Sequence, residues 1–165
     1  VAVTRVLEIS DSEKPQIKWV NDVFVNGKKV CGILCESVIN SETKKLDFAV
    51  LGVGINLVKP KDDFPEAIKD IAGAVFENET ENLKEKFVAD FLNEFYYIYR
   101  ELNQASFMNE YRKKCFCLGK EITVISGESK KKARAISIDE NACLEVEFEN
   151  GTRKFLSSGE ISIKI

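Results

Sequence analysis

Three short blocks in the first third of the chain restrict its fold more than any other feature. They are Lys18-Trp19-Val20-Asn21-Asp22, Lys29-Val30-Cys31-Gly32-Ile33-Leu34-Cys35-Glu36 and Gly52-Val53-Gly54-Ile55-Asn56. Each sets polar residues or glycine inside apolar, strand-forming sequence. Such positions weaken a sheet unless they meet a ligand or one another. Three of them in close succession predict a pocket built on a sheet.

The surrounding sequence supplies that sheet. Residues 1–9 read as a helix stopped by Ser10-Asp11-Ser12 and Pro15, and residues 16–20 as a short strand. Val23-Phe24-Val25 and residues 28–39 flank Asn26-Gly27, a strong signal for a type I′ hairpin. Residues 46–58 form a further long strand, antiparallel to the one before it. Pro60 and Pro65 bound a loop with a short helix near Glu66-Ala67-Ile68. Leu83, Phe87, Phe91, Phe95, Ile98 and Leu102 recur at helical spacing, with Val88, Leu92 and Tyr99 alongside. The aromatic stripe reads as core. A break at 103–106 and a shorter helix at 107–114 follow.

After Gly119 the texture changes to short alternating strands at 121–125, 133–138, 143–148, 152–156 and 160–165, separated by Ser, Gly, Asn, Asp and Glu. This pattern predicts a small β-barrel, with a domain boundary between residues 117 and 118. The fold class is α+β: part of a mixed sheet with helices over residues 1–117, then a small barrel over 118–165.

Composition removes several function classes. Net charge is −3 and the 119–165 region is balanced, so nothing marks a nucleic-acid binder. The run from Lys130 to Arg134 reads as a solvated hairpin end. The chain has no histidine, which excludes histidine-based triads and histidine metal sites. Its five cysteines read as reduced thiols of a cytoplasmic protein. Cys31/Cys35 and Cys115/Cys117 lack the usual zinc-knuckle spacing, so no metal site is expected. No apolar run reaches the roughly 20 residues that span a bilayer.

Within the blocks, the Asp22 carboxylate at a strand end suits a ribose, an amide or a magnesium-bound water, though Asn21-Asp22 is also an ordinary turn pair. Lys29 opens a strand and suits a carboxylate or phosphate; Lys28, facing the other way, reads as the solvated hairpin lysine. Gly32 and Gly54 sit where a ligand or another backbone approaches, or where a strand bulges. Gly52-Val53-Gly54 lacks the third glycine and the following helix of a dinucleotide fingerprint.

Together the blocks resemble those of biotin protein ligases. Lys18 to Asp22 is similar to the family's K-W-P-N-D, Lys29 to Leu34 to K-x-A-G-I-L, and Gly52 to Asn56 to G-[IV]-G-[IV]-N. Gly159-Glu160-Ile161-Ser162 resembles the G-E-[IV]-S ending of the family's SH3-like domain. The resemblance implies a class II synthetase-like ligase sheet followed by an SH3-like barrel. It also implies an enzyme that joins biotin to ATP as biotinyl-5′-AMP and then passes biotin to a lysine of a biotin carboxyl carrier domain. Magnesium would accompany the ATP, with ligands that cannot be assigned. Lys29 would serve the biotin carboxylate and the adenylate phosphate, and Asn21 and Asp22 the adenylate. Gly32 and Ile33 would line the biotin slot, and Gly54 and Asn56 would lie under the nucleotide. Val20 stands where the motif has proline. Nothing here matches the family's G-R-G-x-x-G-R loop, which precedes K-W-P-N-D. The chain is therefore expected to be a C-terminal portion with an incomplete site, open to a homodimer partner or a complementing chain. A lipoate-type ligase relative, or a non-enzymatic module with a vestigial pocket, are the competing readings.

Overall fold

A computed structural model of the chain describes residues 1–10 and 14–163. Asp11 and Ser12 of the expected helix stop, and the last two residues of the expected final strand, lie outside the described residues. The elements are α1 (Ala2–Ile9), β1 (Gln16–Lys18), β2 (Asp22–Val25), β3 (Lys28–Ile39), β4 (Leu46–Ile55), α2 (Leu83–Arg100), α3 (Met108–Lys114), β5 (Glu121–Ser126), β6 (Ser129–Ile138), β7 (Leu144–Phe148), β8 (Arg153–Leu156) and β9 (Glu160–Ser162). The fold is α+β, as the sequence predicts. It has two sheets, one ordered β1-β2-β3-β4 and the other β8-β7-β6-β5-β9. Every pairing of adjacent strands in both is antiparallel, and isolated parallel bridges join Ile17 to Cys115 and Lys29 to Ala72 on the first.

Local chemistry accounts for the first sheet. Asn26 and Gly27 have φ of 52° and 72°, the pair of positive values that a type I′ turn requires. At the far end of β3, Asn40 Oδ1 accepts from the backbone N–H groups of Glu42 and Thr43 and closes the turn into β4. Val3, Val6 and Leu7 of α1 and Phe87 of α2 cover one side of this sheet, packing with Val23, Val25, Val30 and Cys31. Each such side chain taken fully out of water contributes ~1.5–3 kcal/mol before entropy is counted.

A second cluster joins the sheets. Ile17, Trp19, Met108, Tyr111, Cys115 and Cys117 pack with Ile122, Ala135, Leu144, Val146 and Ile161. This core crosses residue 118, so the two sheets share apolar contacts along a seam. The exposed Lys130, Lys131, Lys132 and Arg134 occupy the β5–β6 hairpin, as expected of a solvated run.

Some elements differ from expectation. Residues 66–70 form turns, held by Ile68 and Lys69 N–H bonds to the Pro65 carbonyl. So short a run does not repay helix nucleation. Of the expected aromatic stripe on α2 only Phe87 is buried, while Val88, Leu92 and Tyr99 are exposed. The outer halves of β3 and β4 are likewise exposed, including Leu34, Val38, Phe48 and Val50.

A charged network ties the helices together. Arg5 on α1 reaches Glu94 at 3.2 Å and Glu110 at 2.8 Å, and Lys114 reaches Glu110 at 2.7 Å. Burial works to raise the Glu110 carboxyl, but hydrogen bonds from Arg5 and Lys114 prevail and hold it below the usual carboxylate range. A carboxylate depressed in the folded state adds stability above its unfolded pKa and loses it as pH falls through the folded value. Urea unfolding followed below about pH 4.3, the unfolded glutamate value, should therefore show an acid loss of stability that Glu110→Gln reduces.

Residues 71–73 run beside the start of β3: Lys29 N–H donates to the Ile71 carbonyl at 2.7 Å, and Gly73 N–H to the Lys29 carbonyl at 2.9 Å. A Cβ on Gly73 would sit 2.5 Å from Lys28 Cβ, an atom too near the backbone to yield. Gly73→Ala should cost ~1–3 kcal/mol in urea unfolding, as overpacking does. Gly52→Ala, whose Cβ finds only the Leu34 carbonyl at 3.7 Å, should cost much less.

Candidate adenylate site

The cross-strand register brings the three sequence blocks into one line. Asp22 at the start of β2 pairs with Gly32 on β3, and Gly32 pairs with Gly54 on β4. A carboxylate and two bare glycines thus follow one another across three strands. Gly52 lies two residues along from Gly54, opposite Leu34. A Cβ on Gly54 would meet only the Gly32 carbonyl, at 3.8 Å. Contacts within the described chain therefore do not require Gly54 to be bare.

Lys29 joins this line through an irregularity. On β2, Val23 pairs with Cys31 and Phe24 with Lys29, so Val30 has no partner there. Strand residues three apart normally face opposite ways. One extra residue reverses that, which is how a bulge re-aims a side chain. The Lys29 ammonium consequently reaches over Gly32: a Cβ at position 32 would lie 3.3 Å from Lys29 Cε and 3.4 Å from Nζ. There Lys29 meets Asp22 Oδ1 at 2.6 Å, with side chains 39% and 19% exposed, so the lysine remains within reach of a ligand. Lys28 has a different task from the solvated role its position suggested. Its ammonium donates to the Asp70 carbonyl at 2.7 Å and to that of Lys69 at 3.3 Å, tying down the 65–72 turns.

The two asparagines fasten backbone. Asn21 bonds Ile33 twice, its carbonyl accepting the Ile33 N–H at 3.0 Å and its Nδ2 donating to the Ile33 carbonyl. This locks the turn before Asp22 onto β3. The Ile33 side chain packs with the α1–α2 core cluster. Asn56 N–H donates to the Val30 carbonyl at 2.8 Å and its Nδ2 to the Gly73 carbonyl at 3.0 Å, while its own carbonyl accepts from Val75. Asn56 thus clamps the segment that braces Lys29. Sequence reasoning missed this segment; its only signal is the small-residue run Ala72-Gly73-Ala74.

Behind the block, Trp19 is 3% exposed and its indole N–H donates to the Ala142 carbonyl at 2.8 Å, while the Tyr111 hydroxyl donates to the Val20 carbonyl at 2.9 Å. Burial raises the Tyr111 phenol well above its usual range and pushes the Cys31 thiol up to about 11, keeping both neutral. Cys115 and Cys117 share a hydrogen bond with sulfurs 3.2 Å apart; it holds Cys115 up and Cys117 down. Among the described residues no group of three or more acidic, Cys or His side chains could hold a metal. The residues present do not fit a protein-held magnesium, since Asp22, the carboxylate beside Lys29, is paired with it. Among the described residues no helix is long and apolar enough to cross a membrane.

Comparison with known proteins shows what this chain is similar to. Residues 1–56, which contain all three blocks, match the biotin/lipoate A/B protein ligase family. The bifunctional ligase/repressor BirA of Bacillus spizizenii is 42% identical over 72 residues, 44% of this chain and 22% of that protein. The matched stretch is thus under a quarter of the curated relative's length. The crystal structure of biotin protein ligase from Aquifex aeolicus superposes with a TM-score of 0.78 at 26% identity, covering 99% of this chain and 70% of that one. The same enzyme in complex with biotin and ATP gives 0.75 at 26% identity, covering 98% and 66%. Residues 1–56 thus match the model of the biotin/lipoate A/B protein ligase family, and nearly the whole chain has the fold seen in the Aquifex aeolicus biotin protein ligase.

Proposed function

We propose that this chain supplies the adenylate-holding part of an ATP-dependent biotin protein ligase. The observation that carries the reading is the line Asp22–Gly32–Gly54 with the Lys29 ammonium set over Gly32. Its support is the likeness to a ligase solved with biotin and ATP. In the first step a biotin carboxylate oxygen bonds to the α-phosphorus of ATP, the bond to the bridging oxygen breaks, and pyrophosphate leaves. Both reactants are anions, so the step needs charge neutralisation and alignment more than a general base. Lys29 supplies the positive charge, Asp22 orients Lys29 and holds the adenylate, and the bare Gly32–Gly54 strip admits a planar or extended ligand. Asn21 and Asn56 keep these parts in register. Magnesium enters only as a companion of the ATP phosphates. In the second step the amine of a carrier-domain lysine bonds to the biotinyl carbon and AMP leaves.

The protein partner in this reading is a biotin carboxyl carrier domain. Residues 1–117 carry the site and residues 118–165 form the SH3-like module, seamed to it by the shared core. The matched family also covers lipoate, so the ligand test carries a lipoate arm.

Calorimetry with a non-hydrolysable biotinyl-adenylate analogue tests the reading directly. We expect binding by the wild-type chain and weaker or no binding of the lipoyl analogue. Absence of binding to either would leave the vestigial-module reading standing. A charge-assisted contact contributes ~1.5–3 kcal/mol, so Lys29→Ala should weaken affinity about ten- to a hundredfold. Lys28→Ala, which frees only the 69–70 carbonyls, should leave affinity near wild type. Equal losses from both would remove Lys29 from its assigned place.

The glycines separate ligand space from folding. Gly54→Val should fold, because a Cβ there meets nothing closer than 3.8 Å, yet should lose the adenylate analogue. Unaltered affinity in a folded Gly54→Val protein would show that the strip receives no ligand.

A further inference from the structure

Trp19 opens a physical route from the second sheet to the site. The indole is buried, and a buried N–H requires a partner. The partner is the Ala142 carbonyl, on the turn between β6 and β7, 123 residues further along the chain. Three positions after Trp19 stands Asp22. The peptide between them is held from one side by Asn21 on Ile33 and from the other by Trp19 on Ala142 and Tyr111 on Val20. Where the Ala142 carbonyl points therefore bears on where Asp22 sits.

The turn that presents this carbonyl is built around Asp139. Its Oδ1 accepts from the N–H groups of Asn141 at 2.9 Å and Cys143 at 2.8 Å. Its backbone N–H donates to the Cys143 carbonyl at 3.0 Å, and Ala142 N–H donates back to the Asp139 carbonyl at 3.3 Å. Ala142 itself has φ of 61°, the left-handed region that L-residues other than asparagine and aspartate seldom occupy. It also packs against the shared core. A strained alanine persists only where its surroundings over-determine it, and here the Asp139 carboxylate supplies two of the bonds that do so. Arg112 adds a third support from α3, donating to the Ile138 carbonyl at 2.7 Å.

We propose that Asp139 is a positioning residue for the Lys29–Asp22 site, acting through the Ala142 carbonyl and the Trp19 indole. The proposal rests on the adenylate reading of that site. Asp139 touches no reacting atom. It sets the turn that anchors Trp19, and Trp19 sets the peptide that delivers Asp22 to Lys29. The second sheet is on this view part of the site's alignment.

Trp19 is the single tryptophan of the chain, so its indole N–H gives one unambiguous resonance in a nitrogen–proton correlation spectrum of the labelled 165-residue protein. In Asp139→Ala that resonance should move upfield as the hydrogen bond weakens, and the amides of Asn21 and Asp22 should shift with it. Affinity for the biotinyl-adenylate analogue should fall about tenfold, a size in keeping with small misplacement of an aligned group. Asp139→Asn keeps a side-chain oxygen acceptor and should restore both readouts. Trp19→Phe should show the same affinity loss, and adding Asp139→Ala to it should cost nothing more, because both act through one bond. Shifts confined to residues 138–143 would overturn the proposal. So would unchanged affinity in Asp139→Ala, or losses that add in the double variant. Should the wild-type chain fail to bind the analogue, the adenylate reading falls, and the resonances of residues 19–22 still decide whether Asp139 positions them.

Discussion

The Lys29–Asp22 ion pair lies over Gly32, a position with no side chain to crowd it. A Cβ there would press on the lysine stem at 3.3 Å. Much of the first sheet serves that one meeting. The unpaired Val30 turns Lys29 to the glycine face, and Val30 in turn gives its carbonyl to Asn56. Asn56 then secures Gly73, and Gly73 closes on the Lys29 backbone. The cation is thus fixed through its main chain while its ammonium remains partly open. An arrangement of this kind costs little reorganisation when an anion arrives, which is the condition for strong electrostatic assistance.

The apolar side of the same sheet explains why the motif strands tolerate so much glycine. Val23, Val25, Val30 and Cys31 are buried against α1 and Phe87, so one side supplies cohesion while the other is left bare. The second cluster continues from Ile17 and Trp19 into the β5–β9 sheet. Residues 18–22 therefore lie between two packed bodies, and their course answers to both.

What could be read from the sequence follows the range of the interaction involved. Asn26-Gly27 announces its turn because the required φ values belong to those two residues. The five strands after Gly119 announce themselves because alternation and turn residues are local signals; five strands are observed there, the second beginning earlier than expected, at Ser129. The resemblance of the blocks led to Lys29, Asp22, Gly32 and Gly54, and the register sets those four together. The shift at Val30 was not legible, since nothing in Lys29-Val30-Cys31 differs from an ordinary strand. Nor was the 71–73 brace, whose bonds to Lys29 span more than 40 positions and whose bond to Asn56 spans 17. Lys28 looked solvated because its carbonyl partners come from that same distant turn. On α2 the spacing identified the helix, but how much of its stripe is covered depends on what packs there.

The exposure of the outer halves of β3 and β4 has a consequence for motion. Along β3 burial falls from Val30 and Cys31 toward Ile39, which is 61% exposed. Backbone hydrogen bonds with few apolar neighbours open most readily. The hairpin should therefore fray from the Asn40–Lys45 turn inward, and amide protons near Val38 and Phe48 should exchange with solvent well before those at Cys31 and Gly32. One pair of strands thus grades from a labile tip to a firm root, and the Lys29–Asp22 pair stands at the root.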